Sequence, residues 1–345
     1  MLESLSMKAT VTKIHAMHGK MLTKQNYTEL LHKQTVNEIA VYLKKNTRYK
    51  DVLASIDTNT IHRGLLENLI RRKNFDTYVD LCNFQHLGDI PFFNYQVELE
   101  EIEQILSCIL HINAGKTDDY IQTLPSYLIK HASFDLIELA KCKNVKDILK
   151  VVKGTVYYED LKKVIPDDDG QIDSQRCEIL LRTTYYENLF KIIDKDFKGE
   201  TAKKLNRNIR TQIDLINFIN AYRMKAFYKA DIEEIKKYMF PYGRMKKSQA
   251  NSFYEAKTHE EMLSLFKKTI YANKITNFDS DILENNISLI RYKSASSSLQ
   301  NAQSAPVALY SFTFLCDIEV MNIVSIIEGI RYQASPNFIE KLLII

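Results

Sequence analysis

The sequence predicts an all-α protein made of three tandem, similar helical subdomains. Three observations support this: glycine and proline are scarce, apolar residues recur at helical spacing, and one helical pattern occurs three times. The 345 residues include nine glycines, six prolines and no tryptophan, whereas glycine averages about 7% of residues in globular proteins. Turn-rich β-sandwiches, barrels and glycine-looped nucleotide folds need more glycine than this. The fold class that remains is one of long helices joined by few connections.

The repeated pattern is a short amphipathic helix followed by Thr-x-Tyr. It occupies residues 35–49, 144–157 and 258–271, and its tyrosines are Tyr49, Tyr157 and Tyr271. The tyrosines lie 108 and 114 residues apart, close to a third of the chain. We therefore expect them to occupy equivalent positions in three copies of one unit.

Each copy also carries the end signals of a helix. The expected N-caps are Thr35, Asn144 and Thr258, and the first-turn acids are Glu38, Asp147 and Glu261. A cap side chain satisfies a free N–H group, and an acid complements the positive end of the helix dipole. Lysines gather towards the carboxyl end of each copy, where the dipole favours them.

A second marker is an acid followed three residues later by an amide. The pairs are Asp214 with Asn217 and Glu319 with Asn322, while the first copy reads Glu98 with Glu101. Residues three apart share one helix face, so each pair lies beside an apolar stripe. Repetition favours a structural role, because a catalytic pair rarely occurs three times.

A third marker helps to place the boundaries of the repeats. It is an apolar residue followed by proline, at Pro125 and again at Pro241, 116 residues later. We expect repeat units at residues 1–125, 126–241 and 242–345.

Charge and cysteine usage restrict the class of protein. The net charge of +4 comes from 47 basic and 43 acidic residues, which is too balanced for a dedicated nucleic-acid binder. Five scattered cysteines without a Cys-x-x-Cys predict buried or free thiols in a reducing compartment. The start of the sequence shows no signal-peptide pattern, so a cytoplasmic location is expected.

One uncharged stretch bears on membrane insertion. Residues 294–316 lack charge over a length that could span a bilayer. The serine-rich half, 294–304, is interpreted as a polar linker or loop, and 307–316 as a short apolar stretch. No transmembrane helix is predicted.

The sequence contains few candidate catalytic motifs. Phosphate-binding loops, Gly-x-Ser-x-Gly and His-Glu-x-x-His are missing from the sequence. His15 and His18 could pair on a metal, but solvated or half-buried histidines are commoner. Residues 167–170, three aspartates and a glycine, lack the spacing of a calcium loop and predict a solvated turn. No catalytic, cofactor or metal site is predicted.

A basic stripe is the one candidate for binding a partner. It consists of Lys203, Lys204, Arg207 and Arg210. Such a face is usually solvated, but it could contact an acidic partner or lipid headgroups.

Taken in order, these segments resemble the C subunit of the A-type and V-type rotary ATPases, which in eukaryotes is named d. The carriers of the resemblance are the basic segment 16–31 with Tyr27, the Asp214-x-x-Asn217 pattern running into Tyr222-Arg223, and the closing Glu319-x-x-Asn322. The ordered set covers essentially the whole chain, although Glu101 stands where asparagine is expected.

The resemblance implies a non-catalytic rotor component without a cofactor. Its three subdomains would form a funnel around a pseudo-threefold axis. The mouth would receive the central stalk, and the opposite face would sit on the cytoplasmic side of the proteolipid ring, with one copy per complex. The chain would be a peripheral membrane protein in proton or sodium transport, with no nucleic-acid partner.

Two alternatives stay open at this point. One is a free-standing cytosolic helical-repeat scaffold that binds a peptide or RNA. The other is a helical metal-dependent enzyme that uses His15 and His18.

Overall fold

In a computed structural model of the chain, the described residues are 2–84, 90–164, 172–274 and 282–345. Regular secondary structure in these ranges is entirely helical, with 17 α-helices and two short 3-10 helices at Pro91–Asn94 and Ala272–Lys274. The prediction of an all-α fold is confirmed.

The chain divides into two compact units. The terminal unit contains residues 1–87, 203–209 and 263–345, and the middle unit contains residues 88–202 and 210–262. Two helices are divided between these units, α11 (Gly199–Tyr228) and α14 (His259–Phe266).

The terminal unit brings both ends of the sequence into one core. Its helices are α1 (Leu2–His18), α2 (Lys24–Leu31), α3 (Val36–Asn46), α4 (Arg63–Asn83), α15 (Leu283–Gln300), α16 (Ala305–Arg331) and α17 (Pro336–Leu342). Val320, Ile323 and Ile327 of α16 share a buried cluster with Leu43 of α3 and Ile70 of α4. Each such side chain contributes about 1.5–3 kcal/mol relative to exposure.

The middle unit has shorter helices and an aromatic core. The helices are α5 (Tyr95–Asn113), α6 (Thr117–Thr123), α7 (Leu136–Ala140), α8 (Val145–Val151), α9 (Tyr158–Val164), α10 (Ser174–Asp196), α12 (Ile232–Lys237) and α13 (Lys247–Glu255). Phe92 packs edge-on against Phe197 with ring centroids 5.2 Å apart, and Phe218 against Phe253 at 5.3 Å. These edge-to-face contacts are the favoured geometry of aromatic pairs.

Helix α16 is long and apolar enough to cross a bilayer, and no other helix of the described ranges meets that test. Within the protein, 72% of its apolar window is buried. Helices α1, α3, α4, α15 and α17 pack against it. Helix α16 is therefore long and apolar because it is the central core helix of the terminal unit.

The interpretation of 294–304 as a linker is wrong for residues 294–300, because α15 continues to Gln300, while residues 301–304 connect α15 to α16. Ser294 Oγ donates to the backbone oxygen of Ile290 at 2.8 Å, which satisfies a serine within a helix. Ser298 Oγ accepts hydrogen bonds from Asn208 Nδ2 at 2.7 Å and Ser311 Oγ at 3.0 Å. The apolar segment 307–316 is likewise part of the 27-residue α16. The small polar side chains allow α15 and α16 to approach closely.

The five cysteines are all buried free thiols, as the sequence predicted. Burial raises the pKa of both Cys82 and Cys316 to about 12. These thiols therefore stay protonated at neutral pH and are poor nucleophiles.

Candidate functional site

The three repeated helices α3, α8 and α14 begin in the same way. The side chains of Thr35, Asn144 and Thr258 accept hydrogen bonds from the backbone N–H groups of Glu38, Asp147 and Glu261 at 3.2, 3.0 and 3.2 Å. Each acid in turn accepts from the backbone N–H before its cap, at 2.8, 3.4 and 2.7 Å. The predicted N-caps are confirmed, and in each helix the first-turn acid also satisfies the backbone N–H group of the residue just before the cap.

The three tyrosines that follow have one backbone arrangement. The N–H groups of Tyr49, Tyr157 and Tyr271 each donate to Oγ1 of the threonine two residues earlier, at 3.3 Å. All three tyrosine side chains are buried. Each Thr-x-Tyr is therefore a tight turn that directs a large amphipathic side chain into the interior.

Tyr49 meets a buried carboxylate in the terminal unit. The hydroxyl of Tyr49 and Nε of Arg48 each donate to Oε1 of Glu319 at 2.7 Å. The backbone N–H of Leu22 donates to Oε2 at 2.6 Å. The Glu319 side chain is 1% exposed and that of Arg48 is 8% exposed. These donors replace the water that a charged carboxylate loses on burial.

Arg48 extends this network towards α4. Its Nη2 donates to Oδ1 of Asn74 at 2.7 Å, and Asn74 Nδ2 donates to the backbone oxygen of Cys316 at 2.8 Å. Burial and the nearby Glu319 carboxylate raise the pKa of Tyr49 well above its usual value, so its hydroxyl keeps its proton. The charges of this network pair with one another inside the protein and fix the packing of its helices. We call the network of Glu319, Arg48, Tyr49 and Asn74 the lock.

Glu101 on α5 makes the corresponding contact in the middle unit. The Tyr157 hydroxyl donates to Oε2 of Glu101 at 2.6 Å, and the backbone N–H of Ser133 donates to Oε1. A cavity of about 350 Å³ opens beside this carboxylate, and Glu98 and Val156 are among its lining residues. We call it the Glu98–Glu101 cavity. Burial, and secondarily the Glu101 carboxylate, raise the pKa of Glu98 to about 7.

Asp214 on α11 holds a loop of the middle unit. Its Oδ2 accepts hydrogen bonds from the backbone N–H groups of Arg244 at 3.0 Å and Met245 at 2.9 Å. A Cβ atom on Gly243 would lie 2.0 Å from Oδ1 of Asp214, so the loop needs glycine there. Buried carboxylates that accept backbone N–H groups thus occur on α5, α11 and α16.

These contacts correct the sequence register of the second marker in the first copy of the repeat. The sequence pattern treated Glu98 as equivalent to the acids Asp214 and Glu319. In the structure, Glu101 is the acid that accepts a hydrogen bond from a repeat tyrosine. The residue three positions after Glu101 is Gln104, so an amide follows the acid in this copy as well. Four glutamates between 98 and 103 hid the register. The spacing of 56 residues from Glu101 to Tyr157 matches the 57 residues from Asp214 to Tyr271.

The marker asparagines hold the backbone of distant segments. Asn217 donates from Nδ2 to the oxygen of Phe240 and accepts from its N–H, both at 2.8 Å. Asn322 makes the same pair of bonds with Ile344, at 2.9 and 2.8 Å. Since both side chains are buried, each amide satisfies a backbone segment that has no helical partner there.

The basic stripe does not act as one surface. Lys203 and Arg207 are exposed, whereas Lys204 is half-buried and donates to the backbone oxygen of Asn301 at 3.0 Å. Arg210 donates to the backbone oxygen of Tyr242 at 3.0 Å, and its guanidinium lies 4.3 Å from the Phe190 ring centroid. Lys203 and Arg207 are the members that present charge to solvent.

The metal candidates gain no support from geometry. His15 and His18 lie on α1, and the described residues contain no group of three or more His, Cys, Asp or Glu side chains arranged for a metal. Burial, followed by His15, lowers the pKa of His18. Residues 167–170 lie outside the described residues.

The sequence patterns did not single out Arg48, Asn74 or the Glu98–Glu101 cavity. A usable signal was the middle residue of Thr-x-Tyr, which is Arg48 in one copy and the apolar Val156 and Ile270 in the others. Arg48 is itself buried, and a buried charge requires a counter-charge. The sequence alone could not show that the counter-charge lies at Glu319.

An all-helical chain whose repeated acids and amides hold its own backbone has the features of a structural component. A family model for the ATP synthase (C/AC39) subunit matches residues 10–342. The chain belongs to this family.

Curated relatives are similar over part of their length. The chain is 29% identical over 236 residues to the C subunit of the A-type ATP synthase of Thermococcus onnurineus (strain NA1), and 29% identical over 238 residues to that of Desulfurococcus sp. (strain SY). Each match covers 68% of this chain and 61% of the relative. The corresponding protein of Methanosphaera stadtmanae is 22% identical over 265 residues, 76% of this chain and 65% of the relative. The matches thus span about three fifths of the length of the first two relatives.

Proposed function

We propose that this chain is a non-catalytic rotor component of an A-type or V-type ATPase. It acts as a socket between the central stalk and the cytoplasmic face of the proteolipid ring, and passes torque during proton or sodium transport. The observation that carries the proposal is the family match over residues 10–342. The relatives are named as C subunits of A-type ATP synthases, which supports a place in such an assembly.

The internal construction supports a mechanical role. A torque-bearing protein needs helices that do not slip past one another, and buried paired polar groups fix the register of packed elements. Glu319 and Arg48 do this between residues 271 positions apart in the sequence. The asparagine pairs of Asn217 and Asn322 anchor two further segments.

The repeats support a threefold arrangement of the socket. Three identically capped helices, each followed by a buried tyrosine, fit three subdomains at residues 1–125, 126–241 and 242–345 around a pseudo-threefold axis. One copy of such a funnel per complex would make a broad contact with its partners instead of depending on a single hot spot. The chain would then sit at the membrane as a peripheral protein.

Lys203 and Arg207 are the proposed charged contact of this socket. Both are exposed on one face of α11. Replacing both with alanine should weaken retention of the chain in the complex at low salt and make that retention less sensitive to salt, because a contact that salt screens is removed. The matched control replaces the exposed Lys153 and Lys195. Equal salt sensitivity in the two variants would contradict this contact.

The proposal is tested by affinity purification from detergent-solubilised native membranes, with the tagged chain as bait. We expect head, central-stalk and proteolipid subunits in the eluate, and we expect membranes without the chain to lose ATP-driven ion uptake. A tagged cytosolic helical protein is the control bait. Recovery of the chain alone, or with RNA, from the cytosol would overturn the proposal.

A further inference from the structure

The Glu98–Glu101 cavity lacks a cation that the equivalent site contains. Glu319 and Glu101 each accept a tyrosine hydroxyl and one backbone N–H. Glu319 also accepts the guanidinium of Arg48 at 2.7 Å. No arginine or lysine lines the cavity beside Glu101 among the described residues, and the basic side chain that does line it is His131. Two sites of the same construction therefore differ by one guanidinium.

The chain cannot supply that guanidinium from the equivalent position. Arg48 is the middle residue of its Thr-x-Tyr turn, and the same position beside Tyr157 is Val156. Val156 is 55% exposed and lines the cavity. An exposed apolar side chain there offers a contact for the methylene stem of an incoming basic residue.

The two carboxylates that line the cavity also favour the binding of a cation. Glu98 and Glu101 lie one helical turn apart on α5, and both line the cavity. The Glu98 carboxylate makes no hydrogen bond or ion pair with the described residues. Two carboxylates this close resist simultaneous ionisation, and a cation between them would remove that cost.

We propose that the Glu98–Glu101 cavity binds an arginine side chain of a partner protein. The planar guanidinium presents five donors in a fixed fork that matches carboxylate oxygens, whereas an ammonium is a compact and more strongly hydrated point charge. The volume of about 350 Å³ lies at the lower end of the range of roughly 300–1,000 Å³ for ligand sites, as suits one side chain. A metal ion is disfavoured, because no described group has metal-binding geometry. Only the assignment of the arginine to a member of the rotary complex rests on the proposed function.

The first test titrates the intact chain with N-acetyl-arginine amide at constant ionic strength. The readout is the backbone amide resonance of Ser133, whose N–H donates to Glu101. We expect a saturable shift with this probe and none with the neutral citrulline analogue. A response to both probes, or to neither, would overturn the proposal.

Variants separate the cavity from general charge attraction. Glu98→Gln and Glu101→Gln should each weaken probe binding about tenfold or more, because each removes a charge-assisted hydrogen bond. The control is Glu159→Gln, at an exposed acid on α9 of the same unit, which should leave binding unchanged. Equal effects of all three substitutions would indicate only long-range attraction and would contradict the site.

A further variant supplies the cation within the chain. Val156→Arg places a guanidinium at the position of Arg48 in the equivalent turn. We expect this variant to remain folded, to lose the Ser133 response to the probe, and to lower the pKa of Glu98. Retention of full probe binding would overturn the proposal. Because these experiments use the isolated chain, their failure is distinguishable from failure of the membrane purification.

Discussion

The Glu319 and Glu101 sites show two outcomes of one construction. Both place a buried carboxylate under a tyrosine hydroxyl and a backbone N–H. In the terminal unit, Arg48 neutralises the carboxylate and the network closes. In the middle unit, Val156 takes that position and a cavity with a second carboxylate remains. One residue beside a repeated tyrosine thus separates an internal lock from an open cavity.

The largest effect is expected when the lock loses its cation. Arg48→Ala should lower the free energy of unfolding by about 3–5 kcal/mol, because it leaves Glu319 buried without its counter-charge. Urea unfolding followed by circular dichroism measures this loss. Arg72→Ala is the control, since the Arg72–Asp76 pair is about half exposed and should contribute less than about 1 kcal/mol. Similar losses in the two variants would remove the distinction between lock and surface pair.

The asparagine clamps should prove comparable in both units. Asn217→Ala and Asn322→Ala each remove two backbone hydrogen bonds at a buried site. Each should cost about 2–4 kcal/mol, because a backbone N–H and a C=O lose their partner. The control is Asn301→Ala, an exposed amide that donates to Ser297. A loss confined to one clamp would show that the repeats are not energetically equivalent.

At the Glu98–Glu101 cavity, the free energy of unfolding should depend on pH through Glu98. A carboxyl with a raised pKa in the folded protein favours folding below its unfolded pKa, and this contribution is lost as pH rises through the folded pKa. Since the pKa of Glu98 is about 7 against an ordinary 4.5, Glu98→Gln should match the wild type below about pH 4.5. Above about pH 8 it should be more stable by roughly 1–3 kcal/mol.

Urea unfolding across this pH range gives the difference between the two proteins. Glu159→Gln is again the control, and its difference from the wild type should stay flat. Because His131 also lines the cavity, the comparison is repeated in a His131→Gln background, where the dependence on Glu98 should persist. A flat difference for Glu98→Gln would mean that the Glu98–Glu101 cavity is not electrostatically strained, which would weaken the contrast with Glu319.

The smallest effects are expected at the repeated caps. Thr35→Ala, Asn144→Ala and Thr258→Ala should each cost about 1 kcal/mol, because each leaves an N–H group of the first turn without its acceptor. Thermal unfolding of the three variants measures these losses. Serine at the same positions should restore most of the stability. A cap whose removal costs nothing would show that its helix depends on packing alone.

Local chemistry let the sequence predict the helical fold and the N-terminal ends of the repeated helices. A cap and its N–H partner lie within three residues, so the pattern Thr35-x-x-Glu38 carries the information by itself. Low glycine content excluded the turn-rich alternatives in the same direct way. The division into three subdomains stays a prediction.

Only the tertiary structure decided which acid binds which tyrosine. Tyr49 and Glu319 are 270 residues apart, and no local rule relates them. The register of Glu98 and Glu101 was equally open, because several glutamates of α5 fit a helical face and only burial selects one. The serine-rich segment is helical for the same reason, since the contacts of Ser298 with Asn208 and Ser311 exist only after α15 packs. Helix ends are fixed by neighbours in sequence, whereas buried charges are fixed by neighbours in space.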